Sequence, residues 1–411
     1  MKDARGKSLT IIVVSLAVCV ASFLKFNLCR PSAFAGAIAT SHACYSDIPI
    51  FWISRVLEVH LWPFSSLFIP ELSMTINPIE YPVIIGTIIW ALSYITPTSG
   101  SPDVNYFDVN AIFLSILFML SAYIVYKINK KNIYMYILAP AVIASLFINW
   151  DLWAVVPALL TVFYFDHQKF QKSSLFLAIA ISAKFYPIVL LLPISIILIR
   201  KGLGLKLAKY LSFTAFFYLT INIYFMIRDW EGWIFFFISN FSRGIGYGSI
   251  WEILNIYNIK INNLNLLYGF TSILVFALVS AFYIKRVSLP NLSEVAFFAI
   301  FAFTFSSKVY SPQYVLWLTP FAVLAIKNRF QFKSYVVWQF FELAYHVGIW
   351  QHLYWIGAGQ QNEGLSPTNY AVISSLRLLT LLIFTISLAM GNNQKIVAET
   401  RGFEPPKPFR G

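Results

Sequence analysis

Charge is what this sequence has least of. Only 11% of its 411 residues are Asp, Glu, Lys or Arg, and acids are the scarcer sign, 17 against 30 bases. Soluble domains carry about a quarter charged residues. The chain therefore has too little polar side chain to cover a surface in water. A hydrophobic share of 59% and a mean hydropathy of +0.70 agree. The composition reads as a polytopic membrane protein, not as a large soluble one with an oily core.

Cysteine is also scarce, at three residues. Cys19 lies in the first apolar run. Cys29 and Cys44 lie in a long polar loop, where they either pair on an oxidising side or remain two free thiols. His60, His167 and His352 have no metal-ligand spacing, so no metal site is expected. No internal repeat and no soluble domain stand out. No small-residue cleavage site precedes Lys25, so Leu9–Leu24 reads as an uncleaved first span.

The net charge of +13 raises the question of nucleic acid or an anionic surface. The bases fall in short breaks between apolar runs, which fits retention of cytoplasmic loops rather than a nucleic-acid patch. Those breaks are Lys2/Arg5/Lys7, Lys127/Lys130/Lys131, Lys169/Lys172, Arg200/Lys201/Lys206/Lys209, Lys285/Arg286 and Lys327/Arg329/Lys333, with Lys395, Arg401, Lys407 and Arg410 in the tail. The opposite face then receives Asn149-Trp150-Asp151, Lys184, the Asp229–Asn263 loop, Lys308 and the Gln351–Asn369 loop.

A span needs about 20 apolar residues. The candidates are Leu9–Leu24, Tyr81–Thr96, Val109–Tyr126, Ile133–Ile148, Leu152–Phe165, Leu175–Ala183 and Phe185–Ile199. They continue with Leu207–Ile227, Leu264–Ile284, Val295–Phe305, Tyr314–Ile326, Ser334–Trp350 and Tyr370–Met390. Not all of these can cross if both basic termini stay on one side. Tyr81–Thr96 is the weakest: it is short, bracketed by Pro82 and Pro97, and followed by acids without a base. The expectation is an all-α transmembrane bundle of about twelve spans in one domain over residues 1–390. It has a long first extracytoplasmic loop over 25–80 and a polar, disordered cytoplasmic tail over 391–411.

The chemistry-bearing residues sit mostly in the predicted outer breaks: Tyr45-Ser46-Asp47, Glu80-Tyr81-Pro82, Asn149-Trp150-Asp151, Ala183-Lys184-Phe185-Tyr186-Pro187 and Ser307-Lys308-Val309-Tyr310-Ser311-Pro312-Gln313-Tyr314. In their order relative to the spans the chain resembles the GT-C superfamily of integral membrane glycosyltransferases. It is most similar to the polyprenyl-phosphate-mannose-dependent mannosyltransferases, over about Leu9 to Met390. It departs from them at Val83, where the family often has a second proline, and in carrying one isolated acid in the first loop rather than an Asp-x-Asp pair.

The resemblance implies an inverting transfer at the extracytoplasmic face of the plasma membrane. A hexosyl group, mannosyl by resemblance, moves from a polyprenyl-phosphate sugar to a glycolipid or glycan acceptor, with membrane lipid as the other partner, no cofactor and no nucleic acid. Asp47 is the expected general base, and its bland alternative is a loop acid or helix cap. Lys184, Lys308 and Arg243 are expected at the donor phosphate, where the alternative for the lysines is snorkelling to the interface. Glu80, Asp151, Gln313, Glu342 and His346 are candidates for sugar or acceptor contacts. Glu342 and His346 share one helix face and equally well pair inside the bundle. The aromatics Trp230, Trp233, Phe235–Phe237 and Trp251 form either an interfacial belt or a lid. A transporter or lipid-linked sugar flippase is the rival, with ionisable groups then expected near the midplane of broken helices.

Overall fold

The computed structural model describes residues 2–69, 74–357 and 363–390. The predicted tail over 391–411 lies outside the described residues. The protein is a helical membrane protein. Among the described residues five helices are long and apolar enough to cross a membrane, and five shorter apolar helices accompany them. The described strands are one small hairpin, β1 (Leu67–Ile69) against β2 (Met74–Ile76).

The chain enters as α1 (Lys2–Asn27), and a loop bearing the short helices α2 (Gly36–Ser41) and α3 (Asp47–Ser54) follows. After the hairpin come α4 (Val83–Ser93) and the long α5 (Pro102–Ile128). The next pass is broken at Pro140 into α6 (Ile133–Ile137) and α7 (Pro140–Ser145). A proline lacks the N–H that would continue the ladder and clashes with the preceding turn. A tight hairpin, α8 (Leu152–Asp166) and α9 (Phe170–Ala183), leads through a 3-10 turn to α10 (Leu191–Arg200). Then come α11 (Gly204–Arg228), α12 (Trp230–Ser242), α13 (Ile250–Ile256) and α14 (Leu264–Lys285). The chain closes with α15 (Leu292–Ser306), α16 (Val315–Ala325), α17 (Arg329–Gly357) and α18 (Pro367–Met390).

The bundle has two chemically different ends. At the basic end Glu294 pairs with Arg286 and Lys327, each at 2.7 Å. There Arg200 donates to the carbonyls of Tyr283, Arg286, Val287 and Ser288, closing the exposed C-terminus of α14. The other end carries the first loop, the Asp151–Lys184 turn pair and α12. Cys29 and Cys44 are joined there in a disulfide, so the pairing left open from sequence is made. Cys19 is a free, buried thiol.

The weakest predicted span finds a simple explanation. Arg30, just past α1, pairs with Asp108 in the second turn of α5, and Phe26 and Phe34 pack on Phe107. The N-terminal end of α5 thus lies where α1 ends, and α5 returns antiparallel toward the basic end. Helix α4 has 11 residues, about 16 Å, half the thickness of a hydrocarbon core. The Tyr106 hydroxyl donates to the Ile89 carbonyl, and His60 reaches Ser93, which tucks α4 beside the same end. Both ends of α4 stay on the loop side.

Reporter fusions after Tyr94 and after Asn129 are accordingly expected on opposite sides of the membrane. A fusion after Tyr94 on the side opposite to one after Asn77 would move α4 into the bilayer. The Cys29–Cys44 bridge closes a loop with a sequence separation of 15. In the chain-entropy account such a loop is worth about 3 kcal/mol. Replacing both with serine is expected to lower unfolding stability by about that amount in detergent titrations, without changing helix content.

Candidate functional site

Between the first loop and α12 lies a cavity of about 720 Å³. Its walls come from segments far apart in sequence. Asp47 is the first residue of α3, where the positive end of the helix dipole faces a carboxylate. The local fold follows from Ser46, whose hydroxyl accepts from Ile48 N at 3.2 Å and donates to the Phe147 carbonyl at 2.7 Å. Asp47 N in turn donates to the Ile148 carbonyl at 2.8 Å. The cap and the cross-chain bonds fix where the acid points.

The carboxyl of Asp47 opens to the cavity but is otherwise walled by protein. Burial pushes it up to about 6 from an ordinary 3.8. Hydrogen bonds from Tyr45 and Asn149 and the charge of Lys184 hold it down, while Asp151 raises it. Asn149 Nδ2 stands 3.5 Å from Asp47 Oδ2.

Five of the nine sequence-predicted residues line this cavity together: Asp47, Glu80, Lys184, Arg243 and Gln313. Each brings different electrostatics. Lys184, in extended backbone after α9, pairs with Asp151. Asp151 is fully buried behind the wall, where it also accepts from Trp317 Nε1 at 2.6 Å. The ammonium of Lys184 lies 5.2 Å and 5.6 Å from the Trp317 and Tyr81 ring centres. Glu80 pairs with Arg55, also in the wall. Arg243, just past α12, is exposed to the cavity mouth and forms no ion pair among the described residues.

The other four residues sit elsewhere. Lys308 is buried and is not part of the cavity wall. Its ammonium donates to the Phe241 carbonyl at 2.8 Å and to Asn265 Oδ1 at 2.9 Å. It therefore caps the C-terminus of α12, where a helix is negative, and ties it to the first turn of α14. Burial and the nearby charge of Arg243 push Lys308 below the ordinary lysine range. Asp151 is not part of the cavity wall; it acts on the cavity by pairing with Lys184 and by its charge on Asp47. Glu342 is fully paired with Arg377, at 2.8 Å, and also accepts from Tyr310 Oη and Trp338 Nε1. His346 Nε2 meets Lys25 Nζ at 2.9 Å inside the bundle. Of the two readings open for Glu342 and His346, pairing inside the bundle is the one the geometry supports.

Helix α12 lies across the cavity as a strap. Its N-cap Asp229 accepts from Gly232 N at 2.9 Å and from Ser65 Oγ at 3.0 Å. Gly232 packs on the carbonyl of Phe64 so closely that a Cβ would fall 1.5 Å from the oxygen. Phe235, Phe236, Ser239 and Asn240 face the cavity, whereas Trp230, Ile238 and Phe241 are exposed on the outside. Of the aromatics flagged from sequence, Phe235 and Phe236 therefore line the cavity, and Trp230 faces outward.

Sequence reading passed over Arg55 and Asn77 as wall residues and Arg377 as a bundle charge; Asn149 and Tyr81 stood in its motifs without a role of their own. Arg377 had a usable signal, since an arginine inside an apolar run demands a partner. Arg55 had a weaker one, its position two helical turns from Asp47. Among the described residues no group of three or more His, Cys, Asp or Glu side chains is placed to hold a metal ion.

Lys308→Met is expected to loosen the strap. Hydrogen exchange at Ser242–Tyr247 should quicken by at least about tenfold, the weight of two charge-assisted bonds. The amide of Asp47 should be unaffected, and Lys308→Arg should recover most of the protection. Unchanged exchange at Gly246 in Lys308→Met would remove Lys308 from this role. The chain matches no protein-family model and no curated protein.

Proposed function

We propose that the protein is a membrane glycosyltransferase of GT-C architecture. It moves a hexosyl group, mannosyl by resemblance, from a polyprenyl-phosphate sugar to a hydroxyl acceptor with inversion. The observation that carries this reading is the cavity itself: one base-competent carboxylate, a separate unpaired cation and an aromatic wall share a single space at one end of an apolar bundle. About twelve passes connect the two ends once α4 is left on the loop side. With the basic end in the cytoplasm, the cavity faces the extracytoplasmic side.

The chemistry asks for one base. Asp47 takes the proton of the acceptor hydroxyl as that oxygen attacks the anomeric carbon. The bond from the anomeric carbon to the phosphate oxygen breaks, and its electron pair leaves with the polyprenyl phosphate. Single displacement needs no second carboxylate, unlike the paired acids of glycosidases. A carboxyl raised to about 6 is still ionised at neutral pH and is more basic than an ordinary aspartate.

The leaving phosphate gathers negative charge and needs a cation that is not already spent. Lys184 is compensated by Asp151, so its main effect is to hold Asp47 ionised and in place. Arg243 is the cation with no acid beside it. It is assigned to the phosphate, with Lys308 behind it as the anchor of the strap. Between α12 and the exposed apolar faces of α11 and α14 the isoprenoid has an apolar path.

The flippase alternative lacks a counterpart here. Its charges belong near the midplane of broken helices, whereas the mid-helix charges Glu342 and Arg377 are locked to each other. Purified protein given labelled polyprenyl-phosphate hexose and membrane lipid is expected to yield a new glycolipid. Asp47→Asn should lower turnover at least about 100-fold while leaving the protein folded. For wild type kcat/KM should fall as pH drops through about 6, because protonation removes the base. Turnover of Asp47→Asn within tenfold of wild type would sink the assignment.

A further inference from the structure

We propose that Phe51, Arg55 and Glu80 form an acceptor subsite for a neutral ring bearing adjacent hydroxyls, a sugar or cyclitol, next to Asp47. The inference rests on the transferase reading for what Asp47 does, but not for what the subsite binds.

The first observation is a register. Asp47, Phe51 and Arg55 are spaced i, i+4, i+8, and all three line the cavity. Helix α3 runs Asp47–Ser54, and Arg55 N still donates to the Phe51 carbonyl at 3.0 Å, so the helical spacing holds to Arg55. The three side chains therefore stack on one face, spread over about 12 Å of rise. A reactive end, an apolar step and a polar end follow each other along one wall.

The middle step is rigid. Phe51 stands edge-on to Tyr81 and Trp150, with ring centres 5.7 Å and 5.2 Å away. The Arg55 guanidinium lies over the same ring, 5.5 Å from its centre, so Phe51 offers the cavity an apolar edge beside the polar end, suited to the C–H groups of a saturated ring.

The far end is polar but electrically balanced. Arg55 and Glu80 are paired through one guanidinium nitrogen and one carboxylate oxygen. A guanidinium has five N–H donors, and a carboxylate has two oxygens. Arg55 Nε is enclosed by protein, but Arg55 Nη1 forms no hydrogen bond among the described residues, and Glu80 Oε1 receives no bond there either. An unspent donor beside an unspent acceptor complements two neighbouring hydroxyls, one accepting and one donating. Asn77 adds an amide to the same wall.

Because the two charges cancel, this corner has no preference for an anion, in contrast to Arg243 across the cavity. An isolated fatty alcohol or a serine hydroxyl would reach Asp47 but leave the Arg55–Glu80 corner unmatched. Unmatched polar groups are what give a site strong discrimination against a ligand lacking hydroxyls.

The test is a binding measurement in phosphatidylcholine nanodiscs, with no donor present. Octyl α-mannoside and its per-O-methyl ether are titrated by calorimetry. Wild type is expected to bind the mannoside at least about tenfold more tightly, since the ether keeps the ring but cannot donate. The double variant Arg55→Met/Glu80→Gln removes both charges together, leaves no lone charge in the wall, and should lose the preference. Asp47→Asn should keep it. Equal binding of the two probes by wild type, or a preference retained by the double variant, overturns the subsite. Turnover with labelled donor is scored separately. A mannoside preference without any transfer would support the subsite while refuting the transferase, and Asp47-dependent transfer without the preference would do the reverse.

Discussion

The ion pair between Arg377 and Glu342 is the constraint on which the cavity's rear wall depends. Both side chains have no exposed surface, each near the middle of a long helix. Leaving either charge alone there would cost several kcal/mol, so the pair stands or falls together. Arg377 spends Nε on Glu342, Nη1 on the Tyr310 carbonyl at 2.6 Å and Nη2 on the Ser311 carbonyl at 3.2 Å. Its guanidinium lies 3.4 Å and 3.9 Å from the ring centres of Tyr310 and Tyr345. Two helices are thereby clamped to a non-helical strand, and that strand continues into Ser311, Gln313 and Tyr314 of the cavity wall. A lysine could not make these three directed bonds, because its ammonium lacks a planar fork.

The same rule sorts the remaining charges. Asp151 faces Lys184 and Glu294 faces two bases, and these pairs hold helix ends together. Against this background the groups that keep unspent capacity stand out. Asp47 has burial but no full counter-charge, Arg243 has no acid, and Arg55–Glu80 retains a donor and an acceptor. All lie on one cavity. On the proposed function, completeness of pairing separates the charges that hold helix ends from those that meet the substrate.

Much of this could be read from the chain. Low charge and long apolar runs led to a helical membrane protein, and the basic breaks do gather at one end of the bundle. The doubt over Tyr81–Thr96 has a geometric counterpart, because Tyr81 before α4 lines the cavity and Ser93 at its end bonds His60 of the first loop. Asp47 and Lys184 were expected on one face from the distribution of bases and at one site from the resemblance, and both line the cavity. What could not be read was which charges are spent. Lys308 shares a predicted outer break with Gln313, yet its ammonium turns to Phe241 and Asn265, residues of α12 and α14. Glu342 and His346 have the right spacing to share a face, but that face meets Arg377 and Lys25. Sequence position gives depth and side; pairing partners come from helices that meet only in three dimensions. Arg55 was missed for the converse reason, since a base in a polar loop carries no anomaly until α3 is seen to stack it over Asp47.

The location of the cavity follows from the backbone. Inside a bilayer every N–H and C=O must be satisfied, so non-helical chain is tolerated only where protein or a water-filled space covers it. Here four such breaks converge: Tyr45–Ser46, Ile148–Asp151, Arg243–Ser249 and Ser307–Ser311. They satisfy one another. Asp47 N reaches the Ile148 carbonyl, Gly246 N reaches the Lys308 carbonyl at 2.9 Å, and Tyr310 N reaches the Tyr247 carbonyl at 3.1 Å. Gly248, at φ +75, turns its N–H to Glu252 Oε2 at 2.6 Å, in a space already filled by Tyr345 and the Tyr310 carbonyl. Helices that run unbroken to this end would leave no such concentration of polar backbone and no room between their caps. The breaks that make the bundle harder to insert are therefore the same features that create a polar chamber at its edge, and the residues that flank them are the ones whose side chains face into it.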